Sequence, residues 1–441
     1  MSLLIKNGRI FFQGRLIDED ILIEGDKIEE IGSIEEADEV IDAGGKIVLP
    51  GAIDCHVHFR EPGMEWKGDW NSESKAAAKG GVTTVLEMPN TKPPTATVKD
   101  LEEKRKIASR KSVVNYGLFF GATNNNFREI EKAEGIAGIK VYMGSTTGDL
   151  LVTEDTALRQ VFQKGKKKEK VVAVHAEEEE ELKNDLKEAK RFGWNKAEFH
   201  DGIRSKMAAV KAVKKALELQ KEVGNKLHFC HVTTSEEFRE IERCKAIRKN
   251  ITCEVTPHHL FLTHKIAKER GNYSKVNPPL RLRTDQIALM RGINFGVIDL
   301  IATDHAPHTK EEKEKGYWEA PAGMPGVETM MPLMLNAVNE GKITLEKLIE
   351  LVSINPCRVY GIKNKGMIEE GRDADLIVVD LNKEQKIKEE ELFTKCKWSL
   401  FDGMKLKGAV EKTIVNGKII YSDGSIINES KGREVEFEGE D

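Results

Sequence analysis

No run of 18 apolar residues occurs anywhere in the 441-residue chain, and its start carries no basic stretch followed by an apolar core. A membrane or secreted protein is not expected on that pattern, and a cytoplasmic enzyme is. Cysteine is scarce, and the six residues, at 55, 230, 244, 253, 357 and 396, form no CxxC pair and no even framework. Reduced, mostly buried thiols follow, not a disulfide scaffold. An excess of one charge is also lacking, because 69 Lys and Arg stand against 74 Asp and Glu, a net charge of −5. This balance gives no general reason to bind nucleic acid or an anionic membrane. Attraction for an anionic substrate must then come from local cations.

What is present, 39% hydrophobic and 32% charged residues, is the balance of a soluble globular protein. Richness in Lys and Glu suits heat adaptation, on composition alone. The length exceeds what one core usually holds, unless that core is an α/β barrel. Residues 51–365 alternate apolar runs with charged segments of helical period, such as Val98 to Arg110, Glu177 to Arg191, Arg204 to Val223 and Ser235 to Lys249. Eight runs, around 52–58, 82–88, 113–120, 136–142, 170–176, 227–232, 251–256 and 297–303, predict an α/β fold of the (β/α)8 TIM-barrel type. Residues 1–50 read as a small antiparallel sheet broken by Asn7-Gly8, Gln13-Gly14 and Glu24-Gly25-Asp26. The stretch 414–419 repeats the pattern of 5–10, so both read as Asn-Gly hairpins. Between them a glycine turn at Gly371 leads into the apolar strand Leu376 to Asp380. Residues 1–50 and 366–441 are therefore expected to form one β-sandwich domain beside the barrel of 51–365.

In such a barrel the chemistry belongs at the C-terminal strand ends. The first run ends Asp54-Cys55-His56-Val57-His58-Phe59-Arg60. Strand alternation lets His56 and His58 face one cation while Cys55, Val57 and Phe59 turn away. Two strand histidines also occur in ordinary cores, so the other strand ends decide. The fourth run places Lys140 inside an apolar strand, where a charged amine must pair with a carboxylate, lose its charge or be modified. Carbamylation by CO2 would give it two oxygens able to bridge two cations. His175 ends the fifth run and His231 the sixth, whereas His228 has the opposite parity and reads as structural. Asp304 ends the eighth, as a ligand or as an N-cap for the loop that follows. Four imidazoles, a modified lysine and an aspartate suit two borderline cations with a hydroxide between them. Zinc fits that donor set best, with manganese or cobalt as alternatives.

The motifs DCHVHFREPG, GGVTTVLEMPNT, GIKVYM, VHAEEEE, HFCHVTTSEE, EVTPHHL, KVNPPLR and TDHAPH, in this order, resemble the amidohydrolase superfamily and, within it, the dihydroorotases of pyrimidine synthesis. The resemblance implies that His56, His58 and Asp304 hold one zinc and that His175 and His231 hold the other, with carbamylated Lys140 bridging them. It makes Asp304 the proton shuttle, and Arg60 the clamp for a substrate carboxylate with Asn90 and His308 as its partners. Asn277 resembles the residue that reads the pyrimidine ring amide. Arg60 separates this reading from hydantoinases, dihydropyrimidinases and allantoinases, which share the ligands and usually lack the arginine. The implied reaction interconverts N-carbamoyl-L-aspartate and L-dihydroorotate, small molecules, and leaves room for association with other pyrimidine-pathway enzymes. The rival from another class is a non-catalytic scaffold, recognisable in relatives by lost ligands; here all six stand.

Two segments depart from the family pattern. Asp201 to Met207 stands where relatives carry an Arg-Pro pair followed by glutamate, and Ala320 to Thr329 lacks the usual Phe-Gly. The loop Gly144 to Asp149 reads equally as a substrate lid and as an ordinary βα loop, and lacks the Gly-Lys-Ser/Thr ending of a P-loop. Glu177, two residues after His175, reads as a support for that ligand or as a solvated charge.

Overall fold

Short apolar stretches punctuated by turn residues make seven strands at the start of the computed structural model, which describes residues 2–146 and 150–439. They are β1 (Ser2–Lys6), β2 (Arg9–Phe12), β3 (Arg15–Asp18), β4 (Asp20–Glu24), β5 (Lys27–Gly32), β6 (Glu39–Asp42) and β7 (Ile47–Pro50). The barrel strands follow: β8 (Ala52–Val57), β9 (Val82–Glu87), β10 (Asn115–Gly121), β11 (Gly138–Tyr142), β12 (Val171–His175), β13 (Leu227–Phe229), β14 (Ile251–Val255) and β15 (Leu300–Ile301). Four more, β16 (Leu376–Lys386), β17 (Lys405–Val415), β18 (Lys418–Ser422) and β19 (Ser425–Ile426), complete the described strands.

β8 to β15 pair in parallel in chain order. The ring closes where Val57 bridges His305 and the His58 N–H donates to the His305 carbonyl at 2.7 Å. Strands covered on both faces have no solvent side, which is why β8, β9 and β11 are buried at every position. The expected barrel is borne out. Helices between strands include Val98–Lys111, Glu179–Arg191, Lys206–Val223 and Ser235–Lys245. Thr97 caps the first by accepting from Asp100 N, and Thr234 forms a capping box with Glu237 at the last. No described helix is long and apolar enough to cross a membrane.

The terminal segments form two sheets, of order β5-β4-β1-β6 and β19-β18-β17-β16-β7-β2-β3. Ile5, Ile21 and Ile23 of the first pack with Ile10, Val48, Leu376 and Ile414 of the second in one apolar cluster. The second Asn-Gly hairpin is as expected: Asn416 (φ 49°) and Gly417 (φ 74°) are both left-handed and Val415 opposes Lys418. The first is not a hairpin. β1 and β2 lie in different sheets, so the chain crosses the core at Asn7-Gly8 and lets Ile5 and Ile10 join the same cluster. Gly8 is needed there for closeness, since a Cβ would stand 2.8 Å from that of Ala43. Nor is the N-terminal sheet purely antiparallel, because β1 pairs with β6 in parallel and β2 with β7 likewise.

A register shift in β8 between Asp54 and Val57 also breaks the simple alternation. Cys55, expected to turn away with Val57 and Phe59, instead packs with Leu86, Phe119 and Ala173. At the opposite end of the barrel from the site, residues 432–438 run along β10, with Val435 N donating to Tyr116 O at 2.8 Å. Val435 and Phe437 pack there against Ile53, Leu86 and Phe119.

Candidate active site

The ends of β8, β9, β11, β12, β13 and β15, with the loop after β14, deliver side chains to a single pocket. His56, His58, Arg60, Asn90, Lys140, His175, His231, Asn277 and Asp304 all line it. Of the residues expected as metal ligands or substrate contacts, only His308 lies behind the wall. Three of these residues, Arg60 (φ 73°), His231 (φ 35°) and Asp304 (φ 49°), sit in the left-handed region that ordinary side chains avoid. Backbone strain of this kind persists where the surrounding fold holds it, and it marks the ends of β8, β13 and β15 as places where side-chain aim outweighs local comfort.

Three histidines are pinned from behind by buried acceptors. His56 Nδ1 lies 2.5 Å from Glu254 Oε1, His58 Nδ1 lies 2.5 Å from Asn90 Oδ1, and His175 Nε2 lies 2.7 Å from Glu177 Oε2. Carboxylate and amide oxygens only accept, so each histidine must donate there and turn its other nitrogen into the pocket. The inward nitrogens then face electron-rich partners: His58 Nε2 is 2.9 Å and His56 Nε2 3.4 Å from Asp304 Oδ1, and His175 Nδ1 is 2.9 Å from His231 Nε2. Such supports fix tautomer and orientation behind metal ligands. Ligand atoms of His56, His231 and Asp304 lie within 4.8 Å of one another. With metal–nitrogen and metal–oxygen bonds of about 2.0–2.2 Å, this donor set fits a divalent cation.

The electrostatics point the same way. Burial pushes the His58 imidazole down to about 3 despite Asp304 beside it, and burial likewise lowers His175 and His231. Neutral imidazole is the ligand form. Burial and Lys140 push His56 down as well, but the Glu254 and Asp304 carboxylates outweigh them and raise it to about 10, so this position attracts positive charge. Burial pushes Asp304 up, and the surrounding imidazoles more than reverse it.

Lys140 is fully buried, with Cys230 Sγ at 2.9 Å and His56 Nε2 at 3.5 Å as its nearest polar partners. No described carboxylate pairs with it, so the simplest structural alternative to a modified amine is not what the chain provides. Arg60 is also buried, at 1% exposure. Its Nε donates to Pro307 O at 3.1 Å and its Nη2 lies 3.1 Å from His308 Nε2, but no described carboxylate lies within ion-pair distance. His308, fully buried, sits behind the guanidinium, with Lys67 Nζ 3.0 Å from its Nδ1 and Ala322 O 3.0 Å from its Nε2. Asn277 enters from the loop after β14, and the pocket opens past Thr146, Asn277 and Ala322 into a wider vestibule of about 350 Å³.

Several supports escaped the sequence reading. Glu254 holds three groups at once: His56, His228 Nε2 at 3.0 Å and the His231 N–H at 3.1 Å. His228 is thus structural, as its parity indicated. Asp54 accepts from the Thr303 N–H at 3.0 Å and hydroxyl at 2.5 Å, tying β8 to the strand end that carries Asp304. Glu177 is fully buried and also bound by Arg204, so it supports His175 and is not a solvated charge. The loop after β11 is anchored by Ser145, whose N–H and hydroxyl donate to Glu179 at 2.7 and 2.6 Å. Whether that loop acts as a lid turns on residues 147–149, which lie outside the described residues.

The sequence from 47 to 420 matches the Amidohydrolase family. The chain is 40% identical to a dihydroorotase of Methanosarcina acetivorans over 99% of its length and 95% of the relative's. It is 42% identical to one of Pyrococcus horikoshii over 90% and 86%. Among solved structures, L-hydantoinase from Arthrobacter aurescens superposes with a TM-score of 0.94 at 33% identity, covering 98% of this chain and 99% of that one. Dihydropyrimidinase from Brevibacillus agri gives 0.93 at 27% identity over 99% of each.

Proposed function

We propose, from the premise that this chain belongs to the amidohydrolase family, that it is a hydrolase interconverting L-dihydroorotate and N-carbamoyl-L-aspartate. The observation that carries this reading is Arg60, a buried guanidinium in the pocket wall with no described carboxylate to pair with. A planar fork held in that way binds a carboxylate through two charge-assisted hydrogen bonds, and dihydroorotate differs from dihydrouracil by such a group. The full-length similarity to dihydroorotases supports the same choice.

His56, His58 and Asp304 would hold one zinc and His175 and His231 the second. Lys140 would bridge them as a carbamate, formed when its neutral amine adds CO2 and releases a proton. When bound, the metals supply a water acidic enough to attack at neutral pH and positive charge at the carbonyl being attacked. The chain's own groups do the rest. Arg60 fixes the ring through its carboxylate, with His308 behind the guanidinium and Asn90 at the pocket wall. Asn277 meets the ring on the vestibule side. Asp304 accepts the proton of the attacking water and returns it to the ring nitrogen as the C–N bond breaks, so the nitrogen leaves as a neutral ureido group. Ring closure runs through the same positions in reverse.

This reading places the reaction in the cytoplasm, with association with other enzymes of pyrimidine synthesis as a further expectation. It also treats residues 51–365 as the catalytic domain and 1–50 with 366–441 as its β-sandwich partner. The test is the rate on L-dihydroorotate against dihydrouracil, hydantoin and allantoin, on one preparation of measured metal content. Preference for dihydroorotate with about two metals per chain is the expected result. Turnover of the uncharged rings alone would move the chain to the hydantoinase reaction named for its structural neighbours, and metal without turnover would favour a scaffold.

A further inference from the structure

His200 lies in the segment after β12, where the sequence begins to depart from the family pattern, and no step above uses it. It is 5% exposed and touches three groups. Its Nε2 is 2.9 Å from Val276 O and 3.0 Å from Asn277 Oδ1, and its Nδ1 is 2.7 Å from the Tyr317 hydroxyl. A backbone carbonyl only accepts, so Nε2 must carry the proton. Nδ1 then accepts from Tyr317. The amide atom of Asn277 beside that N–H must be its oxygen, which turns Nδ2 the other way, toward Thr146 Oγ1 at 3.3 Å and the pocket both residues line. Burial, Arg204 and Lys275 push the imidazole down to about 3, so it stays neutral across the working range.

We infer that His200 is a positioning residue that locks Asn277 with its N–H donors toward the substrate, so that the ring edge read there must be a carbonyl oxygen and not an N–H. The inference rests on the proposed reading only for the identity of the ring. Without the lock, an asparagine amide can turn over and offer either an acceptor or a donor at little cost. With it, a ring presenting N–H at this place meets N–H and loses a bond at each side.

The test is a double-substitution cycle on the holoenzyme with L-dihydroorotate, using His200→Phe, Asn277→Ala and the pair. His200→Phe is expected to raise KM about tenfold, the scale of one hydrogen bond, with kcat reduced less than about threefold. In the Asn277→Ala background the same change should move KM less than about twofold, since the group it acts through is gone. His200→Gln, which keeps an N–H donor, should recover most of the loss. Independently, ¹⁵N NMR of the wild-type imidazoles should show a neutral Nε2–H form from about pH 5.5 to about pH 8.5, in the signal that His200→Gln removes. An equal KM penalty in both backgrounds, or a Nδ1–H signal, would overturn the assignment. Failure of the proposed reaction shows separately, as a wild type inert on dihydroorotate; the cycle is then run on whichever ring amide it opens, and the NMR outcome is unaffected.

Discussion

At Arg60 a single side chain separates substrates that differ by one carboxylate. Because the guanidinium is buried, hydrogen bonds to a charged partner there are worth about 1.5–3 kcal/mol each. Arg60→Met is expected to raise KM for L-dihydroorotate about 100-fold or more, while dihydrouracil turnover changes little. An unchanged KM would make Arg60 a packing residue. Lys140→Ala removes the proposed bridge and is expected to leave fewer than about two metals per chain by elemental analysis, with turnover lost. Full metal content and rate would place the bridge elsewhere. The ligands were legible because each falls in or just after an apolar run, at the mouth where a barrel puts its chemistry, although parity alone misplaced Cys55. Glu254, Asp54 and His200 were not, since each matters only through a partner brought near by folding: His56, Thr303 and Asn277 lie 198, 249 and 77 positions away.

The elements that carry these residues are themselves tied by charge. Lys313 belongs to the short helix Lys310–Lys313 and is 1% exposed, yet no described carboxylate pairs with it. Its ammonium donates to three backbone carbonyls: Lys275 at 3.1 Å, Pro321 at 2.9 Å and Gly323 at 2.9 Å. It therefore joins the loop leading to Asn277 to the loop that lines the pocket with Ala322 and Gly323. Three full hydrogen bonds replace water here, although burial still pushes the amine well below its usual value. Lys313→Met keeps the apolar stem, leaves the Pro321 and Gly323 carbonyls without their donor and leaves Lys275 O with the Gly323 N–H alone, so the two loops should loosen. KM for dihydroorotate is expected to rise about tenfold, with metal content unchanged. A normal KM would show that the loops hold their places without it. The barrel's strand count and the helix starts at Val98 and Ser235 could be read from periodicity, but this tie could not. In the sequence Lys313 is one lysine in a charged run, and only tertiary placement distinguishes it from a solvated one. The same limit explains the Asn7-Gly8 turn, where a local signal for a hairpin was overridden by two sheets sharing a core.

Across the whole molecule, the barrel has an active end and a floor, and the chain's last described stretch forms part of the floor. Gly432 passes so close to β10 that a Cβ would meet Val114 O at 1.8 Å, and Gly117 leaves the room that Val435 and Phe437 fill. Phe437, 1% exposed, packs with Ile53, Leu86 and Phe119. This stretch lies outside the eight repeats, and the apolar letters in Val435-Glu436-Phe437 were too few to show that a polar tail returns to the barrel. Chemistry at one end and closure at the other should separate in experiment. Phe437→Ala is expected to cost about 3–5 kcal/mol, the range for emptying a buried aromatic site. The urea midpoint should fall accordingly with the slope nearly unchanged, because the cavity alters stability more than the surface exposed on unfolding. kcat and KM of the folded fraction should match wild type, since no proposed ligand or substrate contact belongs to this floor. If activity fell while the midpoint held, the tail would be acting on the site through the strands. The barrel could then no longer be treated as a rigid frame between its two ends.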